Sequence, residues 1–222
     1  MNSGDKPSSY LSEYQTRNVF NAAAYAFCSG QKLNRFVTVQ CARSHLTHAE
    51  THAFTTSLTK YYADWLRTHS GSSPIRVWLL ENKSGIHLHL LLHVPPYLVN
   101  AFTRHNQRWV NLSGVAPSRG VAKCKPIYFS DPSDSDADYL QQGLLGLVQY
   151  LCKATEPSAC TKFGIDHQPQ GIICGKRASW SQALGKGCKS WLLPALQGKR
   201  VLGGNAPLQR LRLLRSVGYP LF

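Results

Sequence analysis

The stretch IRVWLLENKSGIHLHLLLHVP, residues 75–95, predicts a β-hairpin. Two apolar runs flank the turn NKSG (residues 82–85), where asparagine first and glycine fourth favour a type I turn followed by a left-handed glycine. That three-residue loop pairs Glu81 with His87, whereas a two-residue loop would turn Glu81 to the opposite face. Opposed residues of an antiparallel pair share a face, so we expect Glu81 to lie beside His87 and His89.

The second strand of the hairpin carries histidines where apolar side chains would pack better. With a rise of about 3.3 Å per residue, His87 and His89 lie ~6.6 Å apart on one face, and His93 lies ~13 Å beyond them. Two imidazoles and a carboxylate suit Mg²⁺ or Mn²⁺, and zinc also accepts such ligands. We therefore expect Glu81, His87 and His89 to hold one divalent metal. A solvated strand-end role for Glu81 is the alternative.

Hydrophobic periodicity outside the hairpin predicts the remaining elements. It predicts helices at residues 16–29, 47–68, 96–109 and 137–154, further strands at 35–41 and 125–130, and an acidic, turn-rich link at 131–138. The order from residue 35 onward contains a β-α-β-β-α-β unit. This order predicts an α+β protein with a ferredoxin-like antiparallel sheet and helices on one side of it.

The charge of the chain favours a polyanionic partner. It has 222 residues, 25 lysines and arginines, 11 acidic residues and a formal net charge of +14. Nucleic acid is the commonest partner of so basic a protein, although an inert basic surface is the alternative. Residues 161–222 hold ten of these cations against one acidic residue, Asp166. We expect DNA contacts from four of the cations: Lys176, Arg177, Lys186 and Lys189.

The composition also indicates how the chain is divided into domains and in which cellular compartment the protein resides. We expect a flexible N-terminus at residues 1–16, a main domain at 17–160 and a basic, DNA-contacting extension at 161–222. Seven cysteines without a Cys-x-x-Cys pattern indicate reduced thiols of an intracellular protein. Neither a signal peptide nor a run of 18 apolar residues is evident, so we expect a soluble, cytoplasmic protein that does not enter a membrane.

The helix predicted at residues 137–154 carries the candidate nucleophile. Tyr150 and Lys153 are three residues apart and share a helical face. A core tyrosine and a solvated lysine are the structural alternative. Tyrosine attack on a phosphodiester gives a covalent phosphotyrosine, which a metal and a nearby ammonium would assist. Tyr139 lies about three turns earlier, ~16 Å along a continuous helix, too far to act as an equivalent second nucleophile.

Together, three ordered motifs resemble those of HUH endonucleases. They are FVTVQ (residues 36–40), HLHLLL (87–92) and YLCK (150–153), and the resemblance covers roughly residues 35–153. A single tyrosine followed by lysine three residues later is most similar to the rolling-circle replication initiators, or Rep proteins, of plasmids and small single-stranded DNA phages and viruses.

This resemblance implies a nicking and joining activity on single-stranded DNA or an origin hairpin, in a plasmid- or phage-encoded protein of a bacterial host. It assigns metal binding to His87 and His89, with Glu81 in the acidic position of viral members, and the nucleophile and motif lysine to Tyr150 and Lys153. Since no helicase domain follows, a host helicase and polymerase would be partners. A single-tyrosine HUH transposase and a non-catalytic DNA-binding protein on the same scaffold are the alternatives.

Overall fold

The computed structural model describes residues 6–118, 120–127, 135–197 and 205–222. Its strands are β1 (Pro7–Ser8), β2 (Arg35–Gln40), β3 (Arg76–Glu81), β4 (His87–Leu92), β5 (Ala122–Pro126), β6 (Ile173–Cys174) and β7 (Ala178–Trp180). Its helices are α1 (Glu13–Cys28), α2 (His48–Ser70), α3 (Val99–Leu112), α4 (Asp136–Asp138, Tyr139–Leu145 and Gly146–Leu151), α5 (Pro157–Phe163), α6 (Gln182–Gly187, Cys188–Leu192 and Leu193–Leu196) and α7 (Asn205–Ser216). The middle parts of α4 and α6 are π-helical.

A five-stranded antiparallel sheet of order β5-β2-β4-β3-β7 forms the centre of the fold. The segment β2-α2-β3-β4-α3-β5 follows the predicted β-α-β-β-α-β pattern, and its strand order is compatible with a ferredoxin-like fold. The predicted α+β class with an antiparallel sheet and flanking helices is therefore confirmed.

Helices cover both faces of the sheet, not one face as expected. The two helices of the β-α-β-β-α-β pattern, α2 and α3, pack on one face. Helices from outside the pattern, α1, α4, α6 and α7, pack on the other. The reason lies in the two central strands, where Val77 and Leu79 are buried against one helical layer while Leu88 and Leu90 are buried against the other. Strands buried on both faces require a layer of helices on each.

The hairpin between β3 and β4 has the predicted register. Glu81 is directly opposite His87. Gly85 has a φ of 98°, the left-handed region that the bulged loop requires. A Cβ atom at this position would also collide with the side chain of Ala42. The turn therefore places Glu81 on the same sheet face as His87 and His89, as the sequence predicts.

Helix boundaries follow capping signals in the sequence. Thr47 caps α2 and forms a capping box with Glu50, at the predicted N-terminus. The first helix begins earlier than predicted, because Ser12 and Gln15 form a second capping box ahead of Glu13. The expectation of a flexible N-terminus is thereby corrected for residues 7–8, which lie in β1, for Leu11, which forms an isolated bridge to Thr155, and for residues 12–16, which form this cap and the start of α1; residues 1–5 are outside the described chain.

The C-terminal part of the chain is built into the fold. Strand β7 pairs with β3 in the central sheet, and β6 pairs with β1. Phe163, Leu184 and Leu214 lie in the same buried cluster as α1. Consequently, the boundary expected at residue 160 has no counterpart in the described structure: residues 161–197 and 205–222 pack with the rest of the fold and are not an appended extension.

The fourth strand of the β-α-β-β-α-β pattern, β5, begins earlier than predicted. It spans Ala122–Pro126, and residues 128–130 of the predicted strand lie outside the described chain, as do residues 131–134 of the predicted acidic link. Within the residues that are described, no helix combines the length and the apolar character that crossing a membrane requires.

Candidate functional site

The centre of the candidate site is the buried carboxylate of Glu81, at the end of β3. Glu81 and His89 are each 6% exposed, and His89 Nε2 lies 3.3 Å from Glu81 Oε2. On its other side, His89 Nδ1 lies 3.4 Å from Oγ1 of Thr38 on β2. Thr38 pairs directly with His89 in the sheet, so the strand register itself brings the two side chains together.

Lys153 completes this network from the helical layer. It follows the C-terminus of α4, is 6% exposed, and donates from Nζ to Glu81 Oε1 at 2.6 Å. Burial raises the pKa of Glu81, but hydrogen bonds and charge from His89 and Lys153 outweigh burial and hold the pKa below its ordinary value. Glu81 is thus a carboxylate whose two oxygens are both engaged.

Tyr150 lies at the surface directly over Lys153. Its side chain is 53% exposed, and Lys153 Nζ lies 3.9 Å from the centre of its ring. This cation–π contact fixes the ring against the buried network while leaving much of the side chain open to solvent. The predicted proximity of Tyr150 and Lys153 is therefore present, and Glu81 joins them.

Tyr139, on the same helix, has a different environment. Its side chain is fully buried, its hydroxyl donates to the carbonyl oxygen of Leu33 at 2.9 Å, and it stacks on Phe27. Burial raises the pKa of Tyr139 above its ordinary value. These contacts make it a core residue.

The predicted metal ligands share a face but are not arranged around one point. The rings of His87 and His89 are nearly parallel, with centres 6.4 Å apart. Burial and, next, the charge of His89 lower the pKa of His87, which favours the neutral imidazole that a metal binds. In the described part of the chain, no three His, Cys, Asp or Glu side chains form a ready metal site. The donor chemistry fits a divalent ion, but the ion would compete with Lys153 for Glu81.

Two grooves meet at Tyr150. One, of about 280 Å³, is lined by Glu81, Lys83, Ser84, His87, His89, Tyr150, Lys153, Gln168 and Gln170. The other, of about 220 Å³, is lined by Phe36, Thr38, Gln40, His89, Lys123, Lys125 and Tyr150. His89 and Tyr150 line both grooves, and Lys83 in the first groove and Lys123 and Lys125 in the second make their surface polar and cationic.

Several of these lining residues escaped the sequence analysis. Thr38 could have been found, since the strand register places it beside His89. Gln168 and Gln170 could not, because they reach the site through long-range backbone bonds: Gln168 N to the Lys153 carbonyl and Asn82 N to the Gln170 carbonyl. No local pattern encodes such contacts.

The four cations expected to contact DNA divide into two kinds. Lys176, Lys186 and Lys189 are exposed. Arg177 is only 1% exposed and donates to the backbone carbonyls of Ser8, Ser9 and Gly171. Its guanidinium ties β1 to the loop before β6, so we correct the expectation and remove Arg177 from the proposed DNA-contacting residues.

The third histidine of β4's extension, His93, lies away from the site. It is partly buried, and its Nδ1 donates to the carbonyl oxygen of Lys32 at 2.8 Å. The imidazole of His93 is thus held by the backbone of Lys32.

Comparisons with protein-family models, curated proteins and solved structures gave no match to this chain.

Proposed function

We propose that the protein is a metal-dependent single-strand DNA endonuclease and strand transferase that nicks an origin through a 5′-phosphotyrosine intermediate to initiate rolling-circle replication. One arrangement carries the proposal: exposed Tyr150 sits at the junction of two grooves, over a buried network of Lys153, Glu81 and His89. A solvent-accessible tyrosine held by a cation beside paired histidines suits nucleophilic attack better than it suits packing.

The proposed reaction is a transesterification. The oxygen of Tyr150 attacks the phosphorus of one phosphodiester, and the bond between that phosphorus and the 3′ oxygen breaks. The tyrosine becomes joined to the 5′ phosphate, its proton passes to solvent, and the departing 3′ oxygen takes up a proton as a free hydroxyl. The number of ester bonds is conserved, so the reverse attack by a 3′ hydroxyl rejoins a strand and releases Tyr150.

The chain's own residues position this attack. Lys153 holds the ring of Tyr150 at 3.9 Å and is itself fixed by Glu81 at 2.6 Å. Because both partners are buried, the tyrosine is held with little rotational freedom, which favours attack from one geometry. A bound Mg²⁺ or Mn²⁺, held by His87, His89 and Glu81, would polarise the scissile phosphate.

Cationic residues at both grooves support single-stranded DNA as the substrate. Lys83 lines the first groove, and Lys123 and Lys125 line the second, so phosphates on either side of Tyr150 would meet a lysine. Phe36 in the second groove offers a ring on which a base can stack. Exposed Lys176, Lys186 and Lys189 extend the cationic surface, and strand separation and synthesis would fall to a host helicase and polymerase.

The test is formation of a covalent adduct. Wild-type protein, Mn²⁺ and a mixed set of stem-loop oligonucleotides should give a denaturation-resistant protein–DNA species, and Tyr150→Phe should give none. Tyr139→Phe is the matched control: it loses one buried hydrogen bond, worth about 1 kcal/mol, and should keep the adduct.

Two results would contradict the proposal. An adduct formed by Tyr150→Phe would show that another residue is the nucleophile. A folded wild-type protein that binds these oligonucleotides but nicks none of them would favour the non-catalytic DNA-binding alternative.

A further inference from the structure

A second groove system lies away from Tyr150, between α1, β7 and α6. Its volume is about 650 Å³, against about 280 Å³ for the larger groove at Tyr150. The lining residues that matter for binding are Tyr14 and Arg17 on α1, Trp180 on β7, and Lys186 and Lys189 on α6. We call it the α1–α6 groove.

The charge of the α1–α6 groove is positive. Lys186 and Lys189 lie three residues apart on α6, are exposed, and form no ion pair with any residue that the structure describes. Arg17 is bonded to Glu13, which lies outside the lining. None of the described lining side chains is acidic, so an anion in this groove would meet the ammonium groups of Lys186 and Lys189.

The groove also presents aromatic surface. Trp180 on β7 is half-buried, and Tyr14 on α1 is 66% exposed. The indole Nε1 of Trp180 lies against Gly185, where an added Cβ would stand 3.1 Å from it. No residue of the described chain accepts a hydrogen bond from this indole N–H, so it can donate to a ligand. Paired lysines beside an aromatic ring and a free donor suit a nucleotide: phosphates to the cations, a base to the ring.

We infer that the α1–α6 groove binds a segment of the same DNA strand that Tyr150 cuts, and this inference rests on the proposed function. Both sites lie in the helical layer on one face of the sheet, because α1, α4 and α6 pack in the same cluster. Along β3 the separation is set by the register: Trp180 pairs with Val77, four residues, or ~13 Å, before Glu81. A strand held at Tyr150 must therefore extend several nucleotides to reach the groove.

The inference predicts a dependence of affinity on oligonucleotide length. Tyr150→Phe protein removes the chemistry, and single strands of about 4 to about 20 nucleotides are titrated by fluorescence anisotropy at several salt concentrations. In this background, Lys186→Ala with Lys189→Ala should leave short strands unaffected. For long strands it should lower the salt slope by ~1.4, or ~0.7 for each lost phosphate contact. Arg104→Ala with Arg108→Ala, two exposed cations on α3, is the control of equal charge.

A second variant tests the aromatic surface independently. Trp180→Leu should weaken binding of long strands about tenfold, while Trp180→Phe, which keeps a ring, should recover most of the affinity. If the lysine variant and the α3 control weaken long strands equally, the cations act only through net charge and the inference fails. A mononucleotide that displaces long strands as effectively as an oligonucleotide would instead make the groove a site for free nucleotides.

These outcomes are separable from the fate of the proposed function. If the wild-type protein forms no adduct but keeps the length dependence, the proposed nicking activity is refuted and the inference about the groove stands. If the protein forms the adduct but shows no length dependence, the nicking activity stands and the inference about the groove is refuted.

Discussion

Replacing Lys153 with methionine removes one charge from the buried ion pair beneath Tyr150. Methionine keeps a straight side chain of similar length, so packing changes little while the ammonium is lost. Glu81, 6% exposed, then keeps only the contact to His89 at 3.3 Å in place of the 2.6 Å bond to Lys153. The variant therefore isolates the cost of leaving this carboxylate underpaired.

The expected loss is at the lower end of the range for breaking a buried pair. Removing one partner of such a pair costs about 3–5 kcal/mol, and the remaining His89 contact favours about 3 kcal/mol. For a chain of 222 residues, each kcal/mol lowers the melting temperature by about 2–4 °C, which gives a decrease of about 6–12 °C. Replacing both charges, with Glu81→Gln added to Lys153→Met, should recover part of this loss because no buried charge is then left alone.

The stabilisation that Glu81 contributes depends on pH. The folded-state pKa of Glu81 is lowered below its ordinary value of 4.5, since contacts to His89 and Lys153 outweigh burial. The stabilisation from this group is therefore complete above about pH 4.5 and is lost as the pH falls through the folded-state pKa. The difference in unfolding free energy between wild type and Glu81→Gln should shrink over that acidic interval.

Thermal and urea unfolding followed by circular dichroism measures these quantities. The control is Lys60→Met, which breaks the pair of Lys60 with Asp64. These two side chains are 75% and 47% exposed, so solvent screens the pair and its loss should change stability far less than Lys153→Met does. If Lys153→Met is as stable as Lys60→Met, the buried pair does not form and the argument for a fixed Tyr150 loses its basis.

Two further predictions concern the metal and the chain boundaries. Calorimetry should detect Mn²⁺ binding to the wild type and none to the double variant His87→Ala with His89→Ala. Lys153→Met should bind Mn²⁺ more tightly, because the ammonium that competes for Glu81 is gone. Unchanged affinity in the double variant would refute the assigned ligands. Truncation after residue 160 removes β6, β7 and the buried Phe163, Leu184 and Leu214, so the shortened chain should show no cooperative unfolding when heated and followed by circular dichroism. A truncated chain that melts like the full-length protein would show that these residues are dispensable.

The parts of the site that the sequence predicts correctly are those set by local chemistry. The turn at residues 82–85 needs a left-handed glycine, and that requirement alone fixes the pairing of Glu81 with His87. Period-two alternation then places His89 on the same face. Helical spacing likewise predicts Tyr150 beside Lys153. The helix ends at Leu151, but the turn that follows, in which Lys153 N donates to the Tyr150 carbonyl, keeps the two side chains in contact.

Contacts made across long stretches of chain could not be predicted in the same way. Lys153 and Glu81 are 72 residues apart, and their pairing depends on how α4 packs on the sheet. Arg177 illustrates the opposite error: its sequence context, GKR, is typical of a DNA-contacting loop, yet its guanidinium is buried against backbone carbonyls. The number of charges predicts the class of binding partner, but the packing of the chain determines which cations are exposed and can contact it.

The same reasoning changes how the basic C-terminal residues should be interpreted. Because β7 completes the central sheet and Arg177 holds β1 to the loop before β6, these residues cannot be removed to test DNA binding without disturbing the hairpin that carries Glu81. Lys186 and Lys189, in contrast, are exposed, so their charges can be changed with little effect on the core. A role in DNA binding for these C-terminal residues is therefore tested by single substitutions, and in the α1–α6 groove such substitutions separate a specific contact from an effect of net charge.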